Sequence, residues 1–441
     1  MTRKFILVVI DGLTPEVFED AVERRTAPTL ATLHEAGTYG RAVSTFPSLT
    51  PVCLATVATG AHPDIHHIPH LVWYHRAERR LVEYGSSFGA VRAAGTRRSI
   101  KDAVVQMNAF HLSRDAVTVF EALEDAGLTA AAVNTPCYRG RTRHLPTVPG
   151  FGGPVEGPRR FFYYNLFESD VTGAPLAVRT RAGGSIDAYA AAVGRWLVTR
   201  DGFDFLFYYL PDYDYASHAL GPGGAQEALA RSDQAVGALV EAAGGLDEFL
   251  ERYAVVVCSD HGQTRVDRAV RLHDSLTDFR LYRPGAQREA ELVVTASNRA
   301  GMVYLLPAAQ VEARTVAERL ARADGVDVAL FRENGAGVAL RDGEQLPIGP
   351  RDEGWRGRAW RALANPNAGD VVVSAAAGVE FADLGGRHHV GGGSHGSLLD
   401  GDSLVPMLVV GGEAPPSEIA GVAPLILEHF GVDAPAYARA A

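Results

Sequence analysis

Lysine is almost absent from this 441-residue chain: Lys4 and Lys101 stand alone, and arginine supplies nearly all of the 42 basic side chains. With abundant alanine and glycine, this bias reads as base composition of the gene rather than as function. Against 52 acidic residues the basic ones leave a net charge of −10, which weighs against a general nucleic-acid-binding surface. Cysteine is scarce too. Cys53, Cys137 and Cys258 lie far apart without CxxC spacing, so neither a disulfide framework nor a thiolate zinc site is expected, and all three read as buried thiols. No apolar run approaches a membrane span. The N-terminal FILVVI is too short for the apolar region of a signal peptide and ends in Asp11 rather than a small-residue cleavage site. A cytoplasmic protein without a membrane partner is the default expectation.

What is present is an ordinary globular composition, 47% hydrophobic and 21% charged, long enough for a large core with a further lobe. Apolar runs at 5–10, 128–133, 203–210, 253–258 and 405–410 read as strands. Between them, helices are predicted at 28–35, at 186–199 behind Ser185, at 226–243, and from a Ser113 cap through Ala126. The His-rich 62–75 segment gives way to irregular sequence up to about residue 112, and 138–184 reads as surface loops. Strands separated by helices predict an α/β fold with a mainly parallel sheet covered on both faces. From 263 to 378 strands alternate with turns, predicting an inserted small α/β lobe, with 1–262 and 379–441 forming the core.

The most informative stretch is VSTFPSLTPVCLATVATG, from Val43 to Gly60. Thr50 has N-cap chemistry, Pro51 suits a first helical turn, and Gly60 is a stop, so a helix begins at Thr50 with its free N–H groups facing the threonine side chain. Capping alone explains this arrangement. The dipole there would equally dock an anion and stabilise an alkoxide.

Three apolar strands run directly into acids: Asp11, the pair Asp212 and Asp214, and Asp260. A lone strand-terminal aspartate is usually a turn residue. Three on parallel strands converge at one sheet edge, where uncompensated carboxylates repel one another and a divalent metal turns repulsion into binding. His218 follows Asp214 by four residues, His261 follows Asp260, and His395 sits in a glycine-rich GGGSHGS segment. Carboxylate with imidazole suits Zn²⁺, allows Mn²⁺ or Fe, and fits an all-oxygen Mg²⁺ site less well.

VIDGL at 9–13, TFPSLTPVCLATVATGAHPDIHHI at 45–68, LPDYDYASHALGP at 210–222, CSDHGQ at 258–263 and GSHG at 393–396 together resemble the alkaline phosphatase superfamily. The chain is most similar to its nucleotide pyrophosphatase/phosphodiesterase branch. The resemblance implies an alkaline phosphatase-like core with two zinc ions, one held by Asp11, Thr50, Asp260 and His261, the other by Asp214, His218 and His395. It further implies that Thr50 is the nucleophile and forms a phosphothreonine.

Two departures bear on substrate. Pro51-Val52-Cys53 follows the threonine where that branch shows Phe-Pro-Asn, and no asparagine occurs in His66–Leu71 where it places a phosphate-binding one. His67, His70 or the backbone N–H of Val52 are the candidate replacements. Asp212 is expected to support the site rather than ligate, and Tyr215 is a candidate substrate contact; Tyr208, Tyr209, Tyr213 and Tyr215 together offer a stacking face for a base or aryl group, with core packing the default for strand aromatics. His273 and the pair His388-His389 are candidate substrate contacts, with surface placement the default expectation.

These features predict a zinc-dependent hydrolase of phosphodiester or pyrophosphate bonds in small molecules, possible nucleotides included. A phosphomonoesterase or phosphonate hydrolase on the same core is the alternative. Cys53 lacks the Cys-x-Pro-x-Arg context of a sulfatase nucleophile. A catalytically silent metal-binding module fits the intact threonine poorly.

Overall fold

The computed structural model describes residues 3–147, 153–169, 185–285, 289–412 and 414–438. Through it runs an eight-stranded sheet in the order Gly37–Val43, Leu404–Val410, Tyr253–Cys258, Lys4–Ile10, Phe205–Leu210, Ala130–Val133, Arg160–Tyr163, Phe167–Glu168. The five strands from Tyr253–Cys258 to Arg160–Tyr163 are parallel, and the remaining three pair antiparallel towards the edges. This is the expected α/β architecture with a mainly parallel central sheet.

Alternation along one strand feeds two cores. Phe5, Leu7 and Val9 pack with Val52 and Val57 of helix Thr50–Thr59 and with Phe120 of helix Val119–Asp125. Ile6, Val8 and Ile10 face Phe18, Val193 and Val236 from helices Pro15–Glu23, Ile186–Thr199 and Gln226–Ala243. A strand buried on both sides needs an unbroken apolar run, and each such side chain contributes roughly 1.5–3 kcal/mol. Parallel register, with Ile10 opposite Leu210 and Val9 opposite Cys258, brings all three strand ends out at one edge.

Residues 292–375 form a second sheet of six strands, ordered Leu292–Ser297, Ala300–Leu305, Val371–Ala375, Val326–Glu333, Ala336–Arg341, Glu344–Ile348, every neighbouring pair antiparallel. Helix Ala313–Ala321 covers one face through Val316 and Leu320. The other face, with Val293, Met302 and Val372, shares the apolar cluster of helix Thr50–Thr59.

Some local expectations give way. Thr50 is the first helical residue and Leu49 occupies the cap; Gly60 ends the helix at φ 67°. The helix expected behind Ser113 starts at Val119, where Thr118 and Glu121 form a reciprocal capping box. Arg139 decides between the two caps, because its buried guanidinium donates to the carbonyls of Leu112, Ser113 and Ala116 and so removes them from any helix. The expected irregular stretch before residue 112 instead holds strands Val72–His75 and Arg80–Glu83, helices Phe88–Ala94 and Thr96–Lys101, and a π-helix over Asp102–His111. Within the expected loops at 138–184 lie short strands such as Val155–Gly157, and residues 148–152 and 170–184 are outside the described ones. Among the described residues no helix is long and apolar enough to cross a membrane.

Candidate active site

Asp11 leaves the Lys4–Ile10 strand beside Leu210, whose carbonyl accepts the Asp11 N–H at 3.0 Å. Its Oδ2 accepts from the Tyr209 hydroxyl on the neighbouring strand. Its Oδ1 is buried without a hydrogen-bond partner and lies 3.3 Å from His261 Nε2. Asp260, at the end of Tyr253–Cys258, accepts the N–H groups of Gly12 at 3.3 Å and His261 at 3.0 Å through Oδ1. Its Oδ2 is likewise buried and unpartnered, 3.5 Å from the same Nε2. Thr50 Oγ1 completes this group at 3.2 Å from His261 Nε2.

Asp214 sits in the first turn of helix Asp212–Leu220, one turn before His218, and the i, i+4 spacing sets His218 Nε2 3.2 Å from Asp214 Oδ2. Gln263 donates to Asp214 Oδ1 at 2.8 Å, and His395 Nε2 lies 4.0 Å from that oxygen. Close approach here depends on glycine. A Cβ on Gly12, whose φ is +70°, would stand 2.7 Å from Asp214 Oδ1, and one on Gly392 would meet the His218 carbonyl at 2.0 Å.

The three histidines share one orientation. Nδ1 faces a backbone carbonyl in each: Gly393 for His218 at 2.8 Å, Gly262 for His261 at 3.1 Å, Ser48 for His395 at 2.7 Å. A carbonyl only accepts, so Nδ1 carries a proton in each ring and Nε2 is the nitrogen turned towards the carboxylates. Ligand atoms of Asp11, Asp260 and His261, and of Asp214, His261 and His395, lie within 4.8 Å of one another. A pocket filled with acceptors and two orphaned carboxylate oxygens has the donor chemistry of a divalent-metal site.

The electrostatics agree. Burial, then the charges of Asp260 and Asp214, hold the Asp11 carboxyl well above the usual range. Burial also raises Asp260, against the opposing pull of His261. For Asp214 burial is overcome by His218, His395 and His261, and its carboxyl falls below the usual range. His218 is raised in turn, since Asp214 outweighs its burial. Burial, with His261 beside it, pushes His395 well below the ordinary imidazole value.

These groups open onto a cavity of about 690 Å³ lined by Asp11, Thr50, Asp214, His218 and His395, together with Tyr215, which is 60% exposed. His67 and His70 do not line it. The His67 carbonyl accepts from Asn367, and His70 is buried with Nδ1 accepting the Val72 N–H at 3.1 Å. The Val52 N–H is bound to the Leu49 carbonyl at 2.9 Å. From that segment it is Leu71 that reaches the cavity. Asp212 accepts the N–H groups of Ile186 and Asp187 at 3.2 and 3.0 Å, satisfying the start of helix Ile186–Thr199, and lines an adjoining cavity of about 650 Å³ that shares Tyr164, Ile186 and Tyr215 with the main one.

Tyr208, Tyr209 and Tyr213 are buried, but the Tyr209 hydroxyl also holds Asp11. His389, expected at the surface, lines the main cavity. Its Nδ1 is 2.7 Å from the buried Glu380, and its ring lies 4.1 Å from that of His218. Arg387 and Asn298 line the cavity too. The one local signal for Asn298 is its place in a polar Asn-Arg pair between two apolar runs.

Solved structures match over nearly the whole length. Phosphonoacetate hydrolase from Sinorhizobium meliloti 1021, in complex with phosphonoformate, superimposes with a TM-score of 0.62 at 19% identity, covering 96% of each chain. Murine ectonucleotide pyrophosphatase/phosphodiesterase 5 gives 0.65 at 14% identity, over 98% of this chain and 96% of its own. An inactive form of that murine protein in complex with AMP gives 0.64 at 13% identity, with the same coverage. No curated protein sequence matches. The family model described as type I phosphodiesterase / nucleotide pyrophosphatase matches residues 5–398. By that match the chain belongs to the type I phosphodiesterase / nucleotide pyrophosphatase family, whose members are phosphoric ester hydrolases.

Proposed function

We propose that this chain hydrolyses phosphodiester or pyrophosphate bonds in small molecules, nucleotides among them, through a phosphothreonine formed on Thr50. One observation carries this reading: three imidazoles give Nδ1 to backbone carbonyls and turn Nε2 inward, beside two orphaned carboxylate oxygens and the Thr50 hydroxyl. Asp11, Thr50, Asp260 and His261 would hold one divalent cation and Asp214, His218 and His395 another. Zinc suits these donors best, with Mn²⁺ or Fe as alternatives. Bound there, the cations supply Lewis-acid charge stabilisation and lower the proton affinity of the Thr50 hydroxyl.

The chain's own groups do the rest. Thr50 Oγ1 gives up its proton and bonds to phosphorus as the bond to the leaving group breaks and the leaving oxygen takes a proton, at the positive end of helix Thr50–Thr59. Water then attacks the same phosphorus, releasing the phosphorylated product and restoring the hydroxyl. The Tyr164 and Tyr215 rings lining the cavity suit an aromatic leaving group or base, in keeping with the AMP complex of the murine relative.

Hydrolysis of a monoester or a phosphonate is the second reading. Leu71 favours it, since at its position it brings no amide donor to the cavity wall. Turnover of bis(p-nitrophenyl) phosphate, p-nitrophenyl phosphate and phosphonoacetate at equal metal loading separates the two. Preference for the monoester or the phosphonate overturns the diesterase assignment. Thr50→Ala is expected to keep its metal and lose turnover by at least ~10³-fold. Full activity in that variant rejects the nucleophile.

A further inference from the structure

The geometry points to Asn298 as the side chain that donates to a phosphoryl oxygen of the substrate, an inference that rests on the hydrolase reading above. Asn298 and Arg299 form the two-residue turn joining strands Leu292–Ser297 and Ala300–Leu305, with Ser297 opposite Ala300. Asn298 has φ +56°, a left-handed conformation that asparagine tolerates better than most side chains. The second sheet thereby reaches into a site otherwise built at the edge of the first.

The turn is nailed in place. Arg299 is fully buried and bonds Asp402 Oδ1 at 2.8 Å, the carbonyls of Val379 and Ala376 at 3.0 and 2.8 Å, and the Thr264 hydroxyl. Its backbone N–H donates to the His395 carbonyl at 2.9 Å, and the Asn298 carbonyl accepts from Phe381 N–H at 2.7 Å. Tying the tip into a buried network fixes the Asn298 backbone and leaves its side chain to turn about its own bonds.

The amide is oriented as well as placed. Ser297 Oγ donates to Asn298 Oδ1 at 2.9 Å, and Asn298 Nδ2 lies 2.9 Å from His395 Nε2. His395 Nδ1 already gives its proton to Ser48, so Nε2 offers a lone pair and only the NH₂ end of the amide can meet it. That lone pair is the one a cation takes. With a cation there, the Asn298 N–H would lose its acceptor and the amide would have to turn from that lone pair into the cavity it lines, where it is 6% exposed. A buried donor is costly to leave unpaired, and an oxygen of a phosphoryl group beside Thr50 is the acceptor the site would supply. Asn298 is the only carboxamide lining this cavity among the described residues.

The test uses the metal-loaded, desalted enzyme and inorganic phosphate as the probe. Asn298→Gly removes the amide and keeps the positive φ, and Asn298→Asp keeps the shape while replacing the donor by a carboxylate. Calorimetry is expected to show phosphate affinity down at least ~10-fold in both, with two metal ions per chain by elemental analysis and unchanged melting. Their kcat/KM is expected to fall roughly 100-fold. Wild-type phosphate affinity in Asn298→Gly overturns the assignment alone. Loss of metal in step with loss of phosphate binding also overturns it, because the amide would then be supporting His395. Failure of the metal-loaded wild type to bind phosphate overturns the reading of the site and this assignment with it.

Discussion

The Tyr209 hydroxyl donates to Asp11 Oδ2 across two neighbouring parallel strands, in a register that pairs Val9 with Tyr209. That bond fixes the rotation of the Asp11 carboxylate and leaves Oδ1 pointing at His261, 3.3 Å away. A partner that orients a ligating carboxylate is worth 10–100-fold in metal affinity. Tyr209→Phe removes the hydroxyl and keeps the buried ring, so metal affinity measured by chelator competition is expected to fall about tenfold, with little change in folding.

Gly12 makes a second, steric prediction. Its φ of +70° is strained for any side chain, and an added Cβ would lie 2.7 Å from Asp214 Oδ1 and 3.2 Å from Asp214 Cβ. The Gly12 N–H also donates to Asp260. Gly12→Ala is expected to cost on the order of 1–3 kcal/mol in stability and to weaken metal binding, because Asp214 must move to admit the methyl group. Unchanged metal affinity and melting would show that Asp214 has room the packing does not reveal.

Local patterns carried much of this in the sequence. An apolar run followed by an acid locates Asp11 and Asp260, since a strand buried on both faces and its exit turn are neighbours in the chain. Four-residue spacing places His218 beside Asp214. Non-local pairing hid the rest. Tyr209 reads as core by alternation, and only the register with Lys4–Ile10 brings its hydroxyl to Asp11. Asn298 comes from the second sheet, and the buried Arg299–Asp402 pair that locks its turn joins residues far apart in the chain. Ser113 lost its helix to Thr118 through Arg139, a residue no local pattern connects with either.

Asp187 supplies a pH-dependent stability test outside the metal cluster. Its carboxyl accepts from the Asp212 N–H at 3.3 Å and the Ser232 hydroxyl at 2.6 Å. Burial, followed by the nearby Asp212 charge, pushes it up to about 7. A carboxyl raised in the folded state holds a proton that the unfolded chain has released, so its relative stabilisation is complete below the ordinary carboxylate range. It is lost as pH rises through about 7. Asp187→Asn is expected to match the parent near pH 4 and to exceed it above pH 7 by on the order of 1–3 kcal/mol, measured by denaturant unfolding across that range. Parallel curves for the two proteins would place the Asp187 charge in a better-solvated setting.

Metal binding should itself move protons. Without a cation, burial and mutual repulsion hold protons on Asp11 and Asp260, while Asp214 keeps one on His218 despite burial. Each of these groups must be deprotonated to ligate, so binding releases protons in mildly acidic solution, and affinity weakens as pH falls through the raised values. Zinc titrations of chelator-stripped protein in buffers of different ionisation enthalpy are expected to show net proton release that shrinks as pH rises. The same stripped protein should regain thermal stability on mild acidification, since protonating Asp11 and Asp260 relieves the repulsion that the metal otherwise cancels. Zinc binding with no proton release anywhere in this range would mean that the two orphaned oxygens of Asp11 and Asp260 are already ionised and balanced by another charge.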